Sequence, residues 1–304
     1  MITIQLMGGL GNQLFQLFAT IAYALEHGHR FIFSFSDTLE VGRSRPTYWN
    51  SFLSNLKKYT NYQHSTICNY MLENLPKYKE PGFIYTNIPF VCTDQPFSLF
   101  GYYQSYKYFV KYQEEIYSLI SLEQQKVNIR KEYEDILDFD YTISMHFRLG
   151  DYKNFLNHHP IMPVEYYTNA LEYILSSLYT TTDFIRVLYF CEEEDNDIVK
   201  ITIDKLRNHF KNYEHLEFVK VDDTIEDWKQ LLIMASCQNH IIANSSFSWW
   251  GAYLNAYLYK IVCYPCKWFG PAMGNVNTSD LFPPECDLNS NLVSGNGNWK
   301  QIQF

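Results

Sequence analysis

The stretch Tyr141-Thr142-Ile143-Ser144-Met145-His146-Phe147-Arg148-Leu149-Gly150-Asp151-Tyr152 decides the fold of this chain. Its first half is a strand-like run, and its second half brings together an imidazole, a guanidinium, a glycine and a carboxylate. Ligands of open α/β sheets bind at the carboxyl ends of the strands. An arginine at that edge can bind a phosphate through two parallel hydrogen bonds. The stretch therefore predicts an α/β protein with an anion site directly after this strand.

Strand-like and helix-like segments alternate on both sides of this stretch. Before it, residues 2–6 alternate apolar and polar side chains, a glycine turn follows, and apolar residues then recur at helical spacing from Leu14 up to Gly28. After it come four more strand-like runs separated by helical stretches, with Pro163 beginning the first helix. This alternation is typical of a parallel, doubly wound sheet. We therefore expect two Rossmann-like domains, residues 1–135 and 136–304, whereas the tail from Trp268 shows little periodicity.

Bulk properties narrow the classes of function. The net charge of −9 argues against nucleic acid as a partner, because binding a polyanion needs a dense basic face. The 7 cysteines are scattered without a zinc-like arrangement, which indicates free thiols in a reducing compartment. The amino terminus shows no basic leader, and no apolar run reaches membrane-spanning length. The sequence predicts a cytoplasmic protein without a membrane-spanning segment.

Two further motifs flank helix starts. Asn244-Ser245-Ser246-Phe247 lies between a strand-like run and a helical stretch, so its hydroxyls and backbone amides can form an anion site, a serine N-cap, or both. Gly9-Leu10-Gly11-Asn12-Gln13-Leu14 matches two thirds of a dinucleotide fingerprint, with Leu14 in place of the third glycine. The second motif is compatible with a nicotinamide-dependent oxidoreductase, with a simple turn, or with Asn12 and Gln13 binding a sugar hydroxyl.

Four stretches together resemble the α-1,2-fucosyltransferases, glycosyltransferase family 11, within the wider fucosyltransferase superfamily. The stretches are Gly8–Gln16, Gly101–Phe109, His146–Tyr152 and Asn244–Ala252. The resemblance implies two Rossmann-like domains facing a cleft, the GT-B architecture. It also implies an inverting, metal-independent transfer of L-fucose from GDP-L-fucose to the 2-hydroxyl of a β-galactoside, with no cofactor. The amino-terminal domain is then the acceptor side, and the carboxyl-terminal domain binds the nucleotide sugar.

The resemblance also assigns roles to individual residues. The candidate catalytic residues are Arg148, Asp151 and Asn12; the donor-binding residues are His146, Arg148, Gln230, Ser245, Ser246 and Phe247; the acceptor-side residues are Asn12, Gln13, Tyr103 and Gln104. Gln230 stands where the superfamily usually has an acidic residue that pairs with guanine, and Asp227 is a possible substitute. An amide offers guanine one acceptor and one unwelcome donor, so another nucleotide sugar stays open.

The predicted chemistry is the stabilisation of a leaving group. Negative charge grows on the diphosphate as the sugar departs, and a guanidinium with helix-terminal amides can stabilise that charge without a metal. Asp151 is the nearest candidate base, although it can equally orient Arg148, and His158 and His159 are further candidates. The Asp-x-Asp pairs at 138–140 and 195–197 more often serve as a strand lead-in and a helix start than as metal sites. A catalytically silent carbohydrate-binding protein is the remaining alternative.

Overall fold

The computed structural model describes residues 1–40, 44–64, 66–178, 184–284 and 297–304. The chain forms two compact units, one of Met1–Gln125 with Asn277–Phe282, the other of Lys126–Val276 with Pro283–Phe304. The predicted α/β class is confirmed, since each unit combines a parallel sheet with helices. The boundary lies before residue 126 and not after residue 135 as predicted.

The difference in the boundary has a local cause. Helix α4 (Leu122–Glu132) crosses the division, and its side chains from Lys126 onward bind the second unit. Lys126 is buried and its Nζ donates to the carbonyl of Leu254 at 3.2 Å, and Glu132 accepts from Lys229 at 2.7 Å. The alternation of strands and helices along the sequence could not show which unit each residue of this helix joins.

The first unit is built around a small parallel sheet and one long buried helix. Its strands are β1 (Ile2–Ile4), β2 (Thr38–Leu39), β3 (Arg45–Pro46), β4 (Lys77–Lys79) and β5 (Phe97–Phe100), and its helices are α1 (Leu10–His27), α2 (Asn69–Glu73) and α3 (Gln113–Leu119). Strands β1, β5 and β4 form the parallel sheet in that order, and β2 and β3 form an antiparallel pair.

Helix α1 begins and ends at the glycines that the sequence indicated. Gly9 is its N-cap, and Gly28 ends it with a φ of 70°, a left-handed conformation that glycine adopts without the penalty a Cβ would incur. Phe18 of this helix packs edge-on against Phe109 with ring centroids 5.4 Å apart. The apolar spacing from Leu14 onward is thus the core face of the first unit.

The remaining segments of the first unit form short elements. The segment around Phe31 and Phe33 makes isolated bridges to Ile2 and Thr60. The hydroxyl of Ser105 donates to the distant carbonyl of Asp280 at 2.6 Å. The 3-10 helices of this unit are Ser54–Tyr59, Asn61–Gln63, Tyr106–Tyr108 and Val110–Tyr112.

The second unit contains a six-stranded, fully parallel sheet. Its strands are β6 (Tyr141–His146), β7 (Ile185–Phe190), β8 (Leu216–Lys220), β9 (Asn239–Ile241), β10 (Ile261–Pro265) and β11 (Asn298–Ile302). Besides most of α4, its helices are α5 (Glu134–Leu137), α6 (Val164–Ser176), α7 (Asn196–His209), α8 (Asp227–Met234) and α9 (Ser246–Tyr253). Its 3-10 helices are Gly150–Asn154, Glu193–Asp195 and Pro271–Met273.

The strand order of this sheet is β11-β10-β9-β6-β7-β8. The chain runs outward from β6 through β7 to β8, then returns to the other side of β6 and continues through β9 and β10 to β11. This is the order 3-2-1-4-5-6 of dinucleotide-binding folds, whose ligands bind where the direction reverses. The reversal lies between β6 and β9, so the loops that follow these two strands are the expected ligand-binding loops.

The core of the second unit explains why the sequence of β6 is a nearly continuous apolar run. Ile143 and Met145 of β6 are fully buried beside Val187 of β7 and the apolar faces of α6 and α7. Parallel strands covered by helices on both faces read as nearly continuous apolar runs. Strand β11 was not predicted, because its partner β10 lies far from it along the chain and the segment before it shows no periodicity.

Candidate active site

Arg148 lies just beyond the carboxyl end of β6, where the sequence placed it. Its Nη1 donates to Glu192 and its Nη2 to Asp151, and its guanidinium lies 4.7 Å from the ring centre of Tyr152. Only 14% of the Arg148 side chain is exposed, against 37% for each carboxylate. Burial acts to lower the pKa of Arg148, but Tyr152, Glu192 and Asp151 outweigh it, and the net pKa is raised. The guanidinium is a permanent, partly buried positive charge.

Gly150 makes the close packing around this guanidinium possible. It has a φ of 41°, and a Cβ there would lie 2.9 Å from Nη1 of Arg148 and from both carboxylate oxygens of Glu192. Its N–H donates to Asp195 at 2.7 Å, and Asp195 also accepts from Lys153 at 2.7 Å. Any side chain at position 150 would push the loop away from Arg148, so the glycine of this motif is needed for space as well as for conformation.

His146 is the last residue of β6 and is 8% exposed. Its ring lies 5.7 Å from that of Phe247. Burial, helped by the charge of Arg148, lowers the pKa of His146 to about 3, so the imidazole is neutral near pH 7. Its Nδ1 is buried and has no hydrogen-bond partner among the residues the structure describes. A buried nitrogen of this kind is suited to a ligand that can offer the missing hydrogen bond.

The amino terminus of α9 faces the same edge of the sheet. Ser245 is its N-cap, and its hydroxyl accepts from the N–H of Phe247 at 3.3 Å. This confirms the capping interpretation of the serine motif. The start of a helix presents backbone N–H groups and the positive end of the helix dipole, which together favour an anion. Ser246, the first residue of α9, is partly exposed at this end.

Hydrogen bonds join the loops that follow β6 and β9. The hydroxyl of Tyr152 donates to the carbonyl of Asn244 at 3.2 Å. The side-chain amide of Asn244 donates to the carbonyls of Pro160 and Trp268 at 3.0 and 3.1 Å. The ring of His159 stacks on Tyr152 with centroids 4.5 Å apart. The guanidinium and the helix start are therefore held by one connected set of residues at the switch point.

Gln230 lies in α8 and is partly buried. Its Nε2 donates to the carbonyl of Ile225 at 2.8 Å, within its own connection to β8. That bond engages one of the two N–H donors of the amide, and the amide oxygen is the atom that could accept a hydrogen bond from a ligand. Asp227 is exposed at the start of α8 and accepts from the N–H of Trp228 at 2.7 Å.

Three carboxylates beside the site are close enough to suggest a metal. Oxygen atoms of Glu192, Glu194 and Asp195 lie within 4.8 Å of one another. Glu192 is bound to Arg148, and Asp195 is fully buried between Lys153 and the N–H of Gly150. Arg148 and Lys153 offset part of this negative charge. The interpretation of Asp195 as a helix start agrees with its position before α7.

Four residues of the first unit were predicted to contact the acceptor, and they fall into two classes. Asn12 and Gln104 are partly exposed, and Nε2 of Gln104 donates to Oδ1 of Asn12 at 2.7 Å. Gln13 and Tyr103 are fully buried. Gln13 donates to the carbonyls of Gly8 and Pro46, and Tyr103 lies in the core with its N–H bound to Glu80. The side chain of Gln13 holds the glycine turn and Tyr103 lies in the core, and the assignment of these four residues to the acceptor side stays a prediction.

Two residues of the site were missed in the sequence. Glu192 follows the carboxyl end of β7, the strand next to β6, and pairs with Arg148. Tyr152 packs under the guanidinium and bonds the β9 loop. Residues just beyond the carboxyl ends of adjacent parallel strands meet at one edge, so Glu192 could have been found from its position after a predicted strand. Tyr152 ends the stretch quoted from the sequence, but no role was predicted for it.

Fold and site together define an α/β protein with a candidate anion site at the switch point of its second sheet. A profile of the family described as "Glycosyl transferase family 11" matches residues 1–261, and the chain therefore belongs to that family and is a glycosyltransferase. The predicted resemblance is confirmed. The nicotinamide-dependent oxidoreductase is set aside by this membership.

Two curated relatives come from Escherichia coli. An alpha-1,2-colitosyltransferase is 24% identical over 296 residues, covering 88% of this chain and 92% of that protein. The O-antigen biosynthesis glycosyltransferase WbnK is 27% identical over 183 residues, covering 57% of this chain and 55% of that protein. Among solved structures, a family 9 glycosyl transferase from Veillonella parvula matches with a TM-score of 0.49 at 9% identity, over 100% of this chain and 87% of that one. Within the described part of the chain, every helix is too short or too polar to span a bilayer.

Proposed function

We propose that this glycosyltransferase moves L-fucose from GDP-L-fucose to the 2-hydroxyl of a β-galactoside, with inversion and without a metal. The observation that carries the proposal is Arg148, a partly buried guanidinium at the switch point, in the same unit as the start of α9. A leaving diphosphate needs positive charge at that place, and a guanidinium with helix-terminal N–H groups supplies it. Family membership supports the glycosyl transfer, and the donor and acceptor are our inference.

Arg148 binds carboxylates through the N–H groups that a phosphate would use. Asp151 and Glu192 each engage one terminal nitrogen of the guanidinium, which has five N–H donors in all. Both carboxylates are more exposed than the arginine, so they can turn toward water while Arg148 stays in place. We infer that the diphosphate takes over these donors when the nucleotide sugar binds, and that Arg148 keeps its position because Tyr152 supports its flat face.

This exchange also gives Asp151 a role in the reaction. Once Asp151 has turned away from Arg148, its carboxylate can accept the proton of the attacking hydroxyl. The acceptor oxygen then bonds to the anomeric carbon, the bond from that carbon to the phosphate oxygen breaks, and GDP leaves with the electron pair held by Arg148 and the amides of α9. One carboxylate thus serves to position Arg148 before binding and to act as a base after it.

The neutral His146 and the amide of Gln230 suit the nucleoside part of the donor. The unpartnered Nδ1 of His146 can form a hydrogen bond with a ribose or base group, and Phe247 offers an aromatic surface beside it. Gln230 directs its oxygen away from the bond its Nε2 makes with Ile225, so it can accept from guanine. Asn12 and Gln104, which bond each other, are the first-unit residues proposed for the acceptor.

A second candidate donor is a GDP-linked colitose. One relative that covers nearly the whole chain is named for an alpha-1,2-colitosyl transfer. Colitose is L-fucose without the 3-hydroxyl, so the same phosphate and nucleoside contacts serve both donors. The ratio of kcat/KM for the two donors separates the candidates, and a preference of more than about tenfold corresponds to about 1.4 kcal/mol.

The test is transfer with defined substrates. Purified protein is incubated with GDP-L-fucose and methyl β-D-galactoside in EDTA, and the product is identified by mass spectrometry and its linkage by NMR. We expect an α-1,2-linked disaccharide, and a loss of about 10²–10³-fold in kcat for Arg148→Ala. Arg186→Ala is the matched control, because Arg186 also pairs with a carboxylate, Glu217, but lies at the opposite end of the sheet. Full activity of Arg148→Ala, or loss of activity in EDTA, contradicts the proposal.

A further inference from the structure

The first unit holds a cavity of about 280 Å³ that the reaction chemistry of the second unit does not use. Its walls come from β1, β2, the extended segment after Phe33, α2 and the starts of β4 and β5. The polar side chains that line it include Thr3, Gln5, Ser34, Ser36, Lys77 and Ser98. We call this cavity the hydroxyl-lined pocket.

The polarity of this pocket is unusual for its position. Thr3 of β1 is paired in register with Ser98 of β5, and Ser98 is paired with Lys77 of β4, so the three lie side by side on one face of the sheet. Parallel sheets in α/β units normally carry apolar side chains on both faces. The opposite face follows that rule, since Ile2 and its partner Phe97 are buried. One face of this sheet therefore carries polar side chains, and apolar packing does not explain their presence.

Thr3 shows that the polar face is incompletely satisfied. The residue is 2% exposed, and its Oγ1 has no hydrogen-bond partner among the residues the structure describes. A buried hydroxyl without a partner is rare in folded proteins, because removing it from water costs about 1–3 kcal/mol. Since this oxygen belongs to a residue that lines the pocket, a ligand with hydroxyl groups can supply the missing bond.

The charged and polar side chains of the lining disfavour phosphate and apolar ligands. Lys77 is the cation of the lining, and its Nζ already donates to Oε1 of Gln5 at 3.1 Å. Glu40 and Glu73 also line the pocket, so a phosphate would meet more negative than positive charge. An apolar ligand would leave the hydroxyls unsatisfied. Carboxylates, amides and hydroxyls in one small cavity match the hydroxyl groups of a neutral sugar.

We propose that the hydroxyl-lined pocket binds one sugar ring of the acceptor glycan. Its volume lies just below the range of about 300–1,000 Å³ found for sites of drug-sized ligands, which suits a single ring better than a long chain. The assignment of the bound sugar to the acceptor rests on the proposed glycosyl transfer. The binding of a sugar in this pocket does not depend on that function. The pocket selects the glycan, and the guanidinium site in the second unit selects the nucleotide sugar.

The experiment measures sugar binding and transfer separately. Saturation-transfer NMR and calorimetry with methyl β-D-galactoside and lactose are carried out on wild type and two pocket variants. Thr3→Val removes the hydroxyl at constant shape in a residue type that favours strands, and Ser34→Leu fills the cavity. Ser54→Leu is the control, since Ser54 is exposed in the same unit and does not line the pocket. We expect both pocket variants to lose tenfold or more in sugar affinity and the control to match wild type, with circular dichroism unchanged.

The outcomes distinguish this inference from the proposed function. If sugar binding falls in the pocket variants but no fucose is transferred, the pocket is supported and the donor assignment fails. If fucose is transferred and the pocket variants keep the wild-type KM for the acceptor, the pocket inference is overturned and the proposed function stands. Absence of binding by either sugar to wild type also overturns the inference. Arg148→Ala should bind the sugars as well as wild type, because it lies in the other unit.

Discussion

His146 gives the prediction whose size follows most directly from the structure. Burial next to Arg148 lowers its pKa from 6.5 to about 3. Between these pH values His146 is mostly neutral in the folded protein and mostly protonated in the unfolded chain. The unfolded state therefore binds more protons between pH 3 and pH 6.5, and the folded state loses stability as the pH falls through that window. Lowering the pH through the whole window from 6.5 to 3 therefore destabilises the folded state by about 5 kcal/mol.

The perturbation is His146→Gln, which removes the titration. At pH 5 the linkage should destabilise wild type by about 2 kcal/mol relative to pH 8, and at pH 4 by about 3 kcal/mol. Those amounts are a large part of a total stability of about 5–15 kcal/mol. Repacking around the new side chain destabilises the variant by an amount that does not depend on pH. Between pH 8 and pH 5 the stability of the variant should therefore fall by about 2 kcal/mol less than that of wild type.

The assay is urea unfolding at a series of pH values, with the free energy of unfolding compared between wild type and variant. NMR of the imidazole carbons gives the pKa of His146 directly. His215→Gln is the control for the loss of a histidine, because His215 is exposed. Equal pH slopes for wild type and His146→Gln, or a measured pKa near 6.5, would show that His146 is neither buried nor neutral as argued.

Three further predictions concern the second unit. Lys260 is buried beside Lys126, and burial lowers its pKa to about 7. The unfolded chain therefore binds more protons than the folded protein above pH 7, and wild type should gain about 2 kcal/mol of stability from pH 7 to pH 9. Lys260→Met should abolish this gain in urea unfolding, and an unchanged gain would refute the assignment. Ser245→Ala should cost about 1 kcal/mol of stability through the lost N-cap, measured by thermal unfolding, and no loss would mean that the cap does not hold α9. Asp195→Asn should weaken GDP binding measured by calorimetry, because the loop at Gly150 loses its charged anchor, and unchanged affinity would separate that loop from the site.

The local features of this chain were readable from sequence because they depend on neighbouring residues. The apolar run of β6 with Arg148 after it, the serine cap at Ser245 and the stop at Gly28 were all predicted and are confirmed. Each depends on one element and the few residues beside it, so pattern and chemistry agree without help from the rest of the fold.

The features that were missed depend on distant parts of the chain. The return of Asn277–Phe282 to the first unit is fixed by Ser105 and Lys107, which bind Asp280 from the other end of the sequence. The burial of Gln13 follows from the carbonyl of Pro46, thirty-three residues away. An amide at a helix start is compatible with a ligand or with a loop, and only the tertiary structure shows which one it binds.

The central claim is that Arg148 binds a nucleoside diphosphate without a divalent ion. The most direct measurement is calorimetry of GDP binding in EDTA for wild type, Arg148→Ala and the Arg186→Ala control. Charge-assisted hydrogen bonds contribute about 1.5–3 kcal/mol each, so losing two of them should weaken GDP binding by at least about 100-fold, whereas the control should match wild type. Equal affinity of Arg148→Ala and wild type for GDP, or binding by wild type only after a divalent ion is added, would contradict the account.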